Sequence, residues 1–422
     1  MTAARVLIAG VSARAAAASA VRAGFAVSLL DAFADLDLPA GVRGLSLPRD
    51  FGAPFSAGAA ARAARDLACD AVVYLSSFEN HPDAVSTLAA GRRLWGNAPA
   101  VLRRVRNPRL LMRACRQRGI PAPAVIMSAN DPNDSNDPKD PNDPNDWLIK
   151  PLASGGGRGV RPWMESGAGI RDPGSEEQGT HADSESRIPD PAEGVRPPQG
   201  CYLQQRLEGV PGSVVFVAAG GRAAPLGVSR QLVGEPAFGA SGFRYCGNIL
   251  SGSGDTHFQE DERIVPAACA LAAAIADAFD LVGVNGIDFI AREGVPYPIE
   301  VNPRWCGSME LVEGAYGISV FGTHVEACAA GTLPRFDLIQ ARHGTGAVGK
   351  AILFAREEVA VGDTRPWLSD RTVRDVPHPG EYIAAGRPVC TVYAEATSAT
   401  ACHAALVARA EGVYAQLAAW RR

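Results

Sequence analysis

The amino-acid sequence predicts an α/β protein that becomes α+β in its central part: an N-terminal parallel-sheet domain, a two-part middle and a small C-terminal β-rich domain. Three observations carry this expectation. Strand-like and helix-like stretches alternate through the first third, the pattern of a parallel sheet covered by helices. Strands and glycine loops are mixed from there to about Pro334, and a last run of strands closes on a long helix. At roughly 100 to 200 residues per domain, the 422 residues divide as 1–106, 107–335 and 336–422.

RVLIAG from Arg5 is a near-continuous apolar run, as in a strand buried on both faces. An Ala-rich helix follows from about Ala13 to Ala23, then FAVSLLD ending at Asp31. DAVVYLSS from Asp70 and a helix from Pro82 to Ala90 repeat the alternation. Leu110 to Arg118 reads as a helix stopped by Gly119 and Pro121. Near 130–146 the chain repeats Asn, Asp and Pro, and 165–200 is rich in Gly, Pro, Ser and acids. Both have little apolar surface to bury and are expected to be disordered insertions. The closing helix runs from Ala399 to Trp420.

Composition excludes several functions. A net charge of -4 leaves no strongly basic face for a phosphate backbone, so no nucleic-acid partner is expected. No stretch has the ~20 apolar residues of a membrane span, and the start lacks a basic region followed by an apolar run. No membrane partner is expected, and the location is expected to be cytoplasmic. Nine cysteines scattered singly fit neither a disulfide framework nor a structural zinc site.

Two constellations carry chemistry. In WLIKPLASGGGRGV, Lys150 leaves a strand and is followed by Ser154, Gly155, Gly156, Gly157 and Gly159. Glycines let backbone amides approach an anion closely and the lysine adds a fixed charge, which suits a polyphosphate. The competing reading is a flexible hairpin. Downstream, VGVNGIDFI carries Asp288, and YPIEVNPRW carries Glu300, Asn302 and Arg304. The two-residue period of a strand puts Glu300 and Asn302 on one face. If Asp288 lies on the antiparallel neighbour, three oxygen ligands converge, a set that favours magnesium between protein and nucleotide phosphates. Arg304, on the same face, is placed to meet an anion. The competing reading is the solvated face of an edge hairpin.

With these residues in order, the sequence resembles the ATP-grasp superfamily, carboxylate-amine ligase branch. LIKPLASGGGRGV matches its glycine-rich loop, YLQQRLEGVPGS its adenine hinge, and Asp288, Glu300, Asn302 and Arg304 its magnesium and catalytic set. The resemblance spans about Asn107 to Pro334. It implies a pre-ATP-grasp domain over 1–106, a two-subdomain grasp over 107–335 and a small β-rich domain after it. It also implies ATP and magnesium (or manganese) as cofactors, with a small-molecule carboxylate and amine as substrates and an acyl phosphate between them. By this resemblance Lys150 and Arg304 are catalytic, and Lys150, Ser154 and the glycines hold phosphates. Gln204, Gln205 and the backbone around Leu207 face the base, with Glu208 or Ser213 near the ribose. The implied chemistry points to amino-acid ligases and to glutamyl-amine ligases of cofactor biosynthesis, such as those of methanofuran. A kinase on the same fold and a non-catalytic nucleotide-binding subunit are the alternatives, and a homodimer is expected. The family carries an ATP-contacting lysine near the start of the Leu110 helix, where this chain has Pro108 and Arg109. Arg244 is a candidate for holding a substrate carboxylate, and Glu310 for an ammonium group.

Three further features are weaker. GTGAVGK at Gly344–Lys350 imitates a P-loop but continues into strand-like AILFA rather than a helix. Val6–Gly10 with Asp31 imitates a dinucleotide-binding unit without its second and third glycines. His81, beside Glu79, follows a strand and reads as a loop residue.

Overall fold

The computed structural model describes residues 4–127, 147–163, 197–255, 258 and 260–420. The insertion expected at 130–146 and nearly all of that at 165–200 lie outside the described residues. Among the described residues, β1 (Arg5–Ala9), β2 (Ala26–Asp31), β3 (Arg43–Ser46), β4 (Ala71–Tyr74) and β5 (Arg93–Leu94) form a parallel sheet in the order β3-β2-β1-β4-β5. All four residues of β1 after Arg5 are buried, as the unbroken apolar run requires. At the end of β2, Asp31 accepts hydrogen bonds from the amides of Ala13, Phe33 and Ala34. Its carboxylate therefore ties down the chain's own loops.

A second, antiparallel sheet is small. It contains β6 (Val125–Ile126), β7 (Trp147–Pro151), β8 (Arg161–Pro162) and β9 (Cys201–Gln205), in the order β6-β9-β7-β8. Trp147, Ile149 and Leu203 are buried together in its core.

The third sheet is the largest. Its strands are β10 (Val210–Ala219), β11 (Arg222–Val233), β12 (Tyr245–Leu250), β13 (Gly283–Arg292), β14 (Val295–Asn302), β15 (Ala347–Phe354), β17 (Val373–Arg374) and β19 (Pro388–Ala396), in the order β14-β13-β10-β11-β12-β15-β19-β17. A separate two-stranded ribbon pairs β16 (Val359–Ala360) with β18 (Tyr382–Ile383). The segment 336–422, read from the sequence as a separate domain, thus supplies three strands of the sheet that begins within 107–335. One half of the sheet packs against the helix Asp261–Phe279, the other against the closing helix Ala399–Ala419. On its opposite face, Val215, Val217 and Leu250 share a core with Val6, Ile8 and Leu29 of the parallel sheet. This shared core fixes the N-terminal sheet over the central one.

Helix ends follow local chemistry. The helix read from Leu110 starts at Pro108, because the Asn107 side chain accepts from the amides of Arg109 and Leu110 and so caps it two residues earlier. Ser398 caps the closing helix through the Ala401 amide. The P-loop imitation is the strand β15, in which Lys350 is buried. No described helix is long and apolar enough to cross a membrane.

Candidate active site

The site is a cleft where the small sheet meets the edge of the large one. Val105, Leu111, Tyr202, Ile299 and Val301 give it apolar walls, while Arg106, Lys150, Ser154 and Glu300 bring polar groups to it. Such a slot with charge gathered in it suits a flat base carrying an anionic tail.

Lys150 occupies the cleft because β7 pairs with β9 in a register that sets it opposite Tyr202. Its Nζ donates to Gln204 Oε1 at 2.9 Å. Gln204 in turn donates to the Ile299 carbonyl at 3.2 Å, so one buried amide joins the small sheet to β14. Gln205, the next residue along the strand, points to the opposite face, where its Oε1 accepts from the Ala124 amide. Leu207 is half-buried and Glu208 exposed, on the connection from β9 to β10.

The glycine loop is docked on a second loop. Gly156, Gly157 and Gly159 have φ of +63°, +75° and +75°, in the left-handed region where side chains are costly. The Gly156 carbonyl accepts from the Tyr245 amide at 3.0 Å. A Cβ on Gly157 would lie 1.7 Å from the Phe243 carbonyl oxygen. Gly155 faces open space. At the loop's start, the Ser154 carbonyl accepts from both Asn80 Nδ2 and Arg106 Nη2, each at 3.2 Å.

The acidic set assembles on β13 and β14. Asp288 and Glu300 are register partners, and Ser213 lies opposite Asp288 on its other side and hydrogen-bonds to it. Ser213 therefore belongs with the carboxylate pair. Asn302 donates to Asp288 at 2.9 Å and accepts from Arg304 at 3.0 Å. Burial and then the charge of Glu300 push the Asp288 carboxyl up to about 7. Burial also pushes Glu300 upward, but Arg106 and Lys150 outweigh it and hold that carboxyl below its ordinary value. This donor set fits a divalent cation, whose charge between the two carboxylates would offset both the burial and the mutual repulsion that raise Asp288. Among the described residues no three or more His, Cys, Asp or Glu gather at one point. Two carboxylates and an amide suit magnesium shared with phosphates rather than an all-protein cage.

The structure adds residues to which the sequence reading gave no role in the site. Arg304 Nε donates to Glu79 Oε1 at 2.7 Å, with Glu79 fully buried, whereas its neighbour His81 is exposed. Arg106 reaches Asn80, Ser154, Val301 and Glu300. Glu79 and Asn80 lie at the carboxyl end of β4, where open α/β sheets present ligand-binding loops; that position was the one available signal. Arg109, by contrast, is not among the residues lining the cleft. Arg244 donates to the Gly386 carbonyl at 2.8 Å, and its guanidinium lies 4.8 Å from the Phe354 ring centroid. Glu310 is held by Arg14 at 2.9 Å, by Lys350 at 3.0 Å and by the Tyr393 hydroxyl. Both side chains suggested as substrate anchors thus have partners within the fold.

Residues 106–308 match the sequence model of a family described as the ATP-grasp domain. The segment 106–308 thus carries an ATP-grasp domain. A stretch of 123 residues is 28% identical to an uncharacterized protein of Methanocaldococcus jannaschii, spanning 29% of this chain and 28% of that protein. Among solved structures, the chain resembles Rhizobium etli pyruvate carboxylase with a TM-score of 0.66 at 15% identity, over 96% of this chain and 37% of that one. It resembles an L-amino acid ligase from Bacillus licheniformis with a TM-score of 0.61 at 15% identity, over 96% of both chains. At these identities the likeness is one of fold.

Proposed function

We propose that this ATP-grasp protein is an ATP-dependent ligase that joins a carboxylate to an amine, with ADP and phosphate released. The observation that carries the reading is the Asp288–Glu300 register pair, whose Glu300 lines one cleft with Lys150 and with Ser154 at the start of the glycine loop. In this reading the apolar walls take the base, while the glycine amides and Lys150 hold the phosphates. Asp288, Glu300 and Asn302 would hold magnesium, which neutralises charge on the transferring phosphoryl group. A substrate carboxylate attacks the γ-phosphorus and ADP leaves; an amine then attacks the resulting acyl phosphate and phosphate leaves. The chain supplies placement and charge, with Arg304 stabilising the acyl phosphate, and no covalent nucleophile is required. The docked glycine loop keeps water from the acyl phosphate. Within this class we propose an amino-acid or glutamyl-amine ligase of cofactor biosynthesis as the substrate family to test first.

The test is ADP and phosphate release with mass detection of products, across pools of carboxylates and amines that include glutamate with tyramine-like amines. Release that needs both partners, with a product lighter by one water than their sum, is the expected result. A stable phosphorylated product formed without an amine would replace this reading by a kinase.

A further inference from the structure

We infer that Arg106 is a further nucleotide-binding residue, whose guanidinium contacts the polyphosphate between the glycine loop and the acidic pair. The inference rests on the proposed ATP site and goes beyond it, because neither the glycine motif nor the acidic set contains this residue. Arg106 sits between two helices, Pro99–Val105 and Pro108–Gln117. The cap at Asn107 holds the chain there and turns the side chain into the cleft it lines.

A guanidinium has five N–H donors in a planar fork. Here Nε donates to Asn80 at 3.1 Å, one Nη to the Val301 carbonyl at 2.8 Å and the other to the Ser154 carbonyl at 3.2 Å. Three of the five donors fix its plane. Of the remaining two, the one on the Val301-bonded nitrogen faces Glu300, whose Oε2 lies 3.5 Å away. The group is therefore immobilised by neutral carbonyls and an amide while its charge stays in the cleft. It lies between Ser154, where the glycine loop begins, and Glu300, where the metal set begins. A polyphosphate that touches both must pass this charge. A magnesium ion held at Glu300 would compete with the guanidinium for that carboxylate, and phosphate oxygens would offer the two remaining donors of Arg106 an acceptor in its place. A nucleoside di- or triphosphate is the ligand class this geometry recognises, since the contact lies at the anionic end of the slot.

The bland alternative is a staple that joins Asn80, Ser154 and β14 and touches no ligand. Calorimetric titration of the full chain with magnesium-ATP, magnesium-ADP, AMP and adenosine separates the two. For Arg106→Gln we expect affinity for ATP and ADP to fall about tenfold or more, the weight of one charge-assisted contact, with AMP and adenosine unchanged. Arg106→Lys should recover part of the loss. Asn80→Ala, which removes a staple contact but no charge, should leave the ATP-to-AMP ratio at its wild-type value. Equal weakening of all four ligands, or wild-type ATP affinity in Arg106→Gln, would overturn the inference while leaving the ATP site standing. No ATP binding by the wild-type chain would instead remove the site itself, and the inference with it.

Discussion

Gly157→Ala perturbs the glycine loop at the point where it docks. The new Cβ would lie 1.7 Å from the Phe243 carbonyl oxygen, and it would sit on a residue with φ of +75°. The left-handed backbone alone costs about 1–2 kcal/mol for an alanine. Relieving the clash needs a shift on the order of 1 Å, which breaks the neighbouring Gly156–Tyr245 bond and costs about another 0.5–1.5 kcal/mol. The docked loop is thus disfavoured by roughly 1.5–3.5 kcal/mol, a factor on the order of 10 to 400. Two neighbours grade the effect. Gly156→Ala bears the backbone strain without the clash, and Gly155→Ala has neither, since its Cβ would meet nothing within 4 Å and its φ is not in the left-handed region. Dissociation constants for magnesium-ATP should rise in the order Gly155→Ala, Gly156→Ala, Gly157→Ala, with unchanged thermal midpoints, because the loop lies outside the main cores. Gly157→Ala binding ATP as tightly as Gly155→Ala would refute the claim that the docked loop is the nucleotide-holding one.

Two more predictions follow from buried charge. The Asp288 carboxyl stands near 7 in the folded chain, against about 3.9 when unfolded. Between those values the folded state holds a proton that the unfolded state lacks, so this group's contribution to stability falls as pH rises from about 4 to 7. A cation must displace that proton, so magnesium affinity should climb up to about tenfold per pH unit below 7 and then level off; a flat magnesium titration from pH 5.5 to 8 would contradict this. Arg14, fully buried, bridges Glu310 at 2.9 Å and Asp375 at 2.7 Å. Arg14→Met should cost about 3–5 kcal/mol in denaturant unfolding by removing the buried cation that Glu310 and Asp375 share, and a loss under about 1 kcal/mol would show that the cluster is dispensable.

Much of the site is legible in the sequence because its residues obey local rules. The strand period sets Glu300 and Asn302 on one face, the turn at Glu293 and Gly294 brings Asp288 beside Glu300, and the glycine run marks the loop after Lys150. The same period explains why Gln204 and Gln205 cannot both face the base, since neighbours on a strand point apart. What the sequence withholds is convergence from distant segments. Glu79 reaches Arg304 across 225 positions and Arg106 reaches Val301 across 195. Neither has a periodicity or motif that marks it, and a buried arginine looks like a surface one until its partners are placed. The pairing of β12 with β15 across position 335 is hidden for a related reason: strand pairing leaves no compositional trace of which strand is the neighbour.

That pairing has a consequence for the order in which the molecule can be completed. The edge of β12 is covered only by β15, which follows it roughly a hundred residues later in the chain. During synthesis every residue of the ATP-grasp motif emerges while that edge is still open, and an open edge is a template for any passing strand. A chain shortened at 335 would keep Lys150, Asp288, Glu300 and Arg304, yet it would present β12 to its neighbours. The C-terminal strands therefore decide whether the residues of the candidate site belong to a finished fold or to an aggregate.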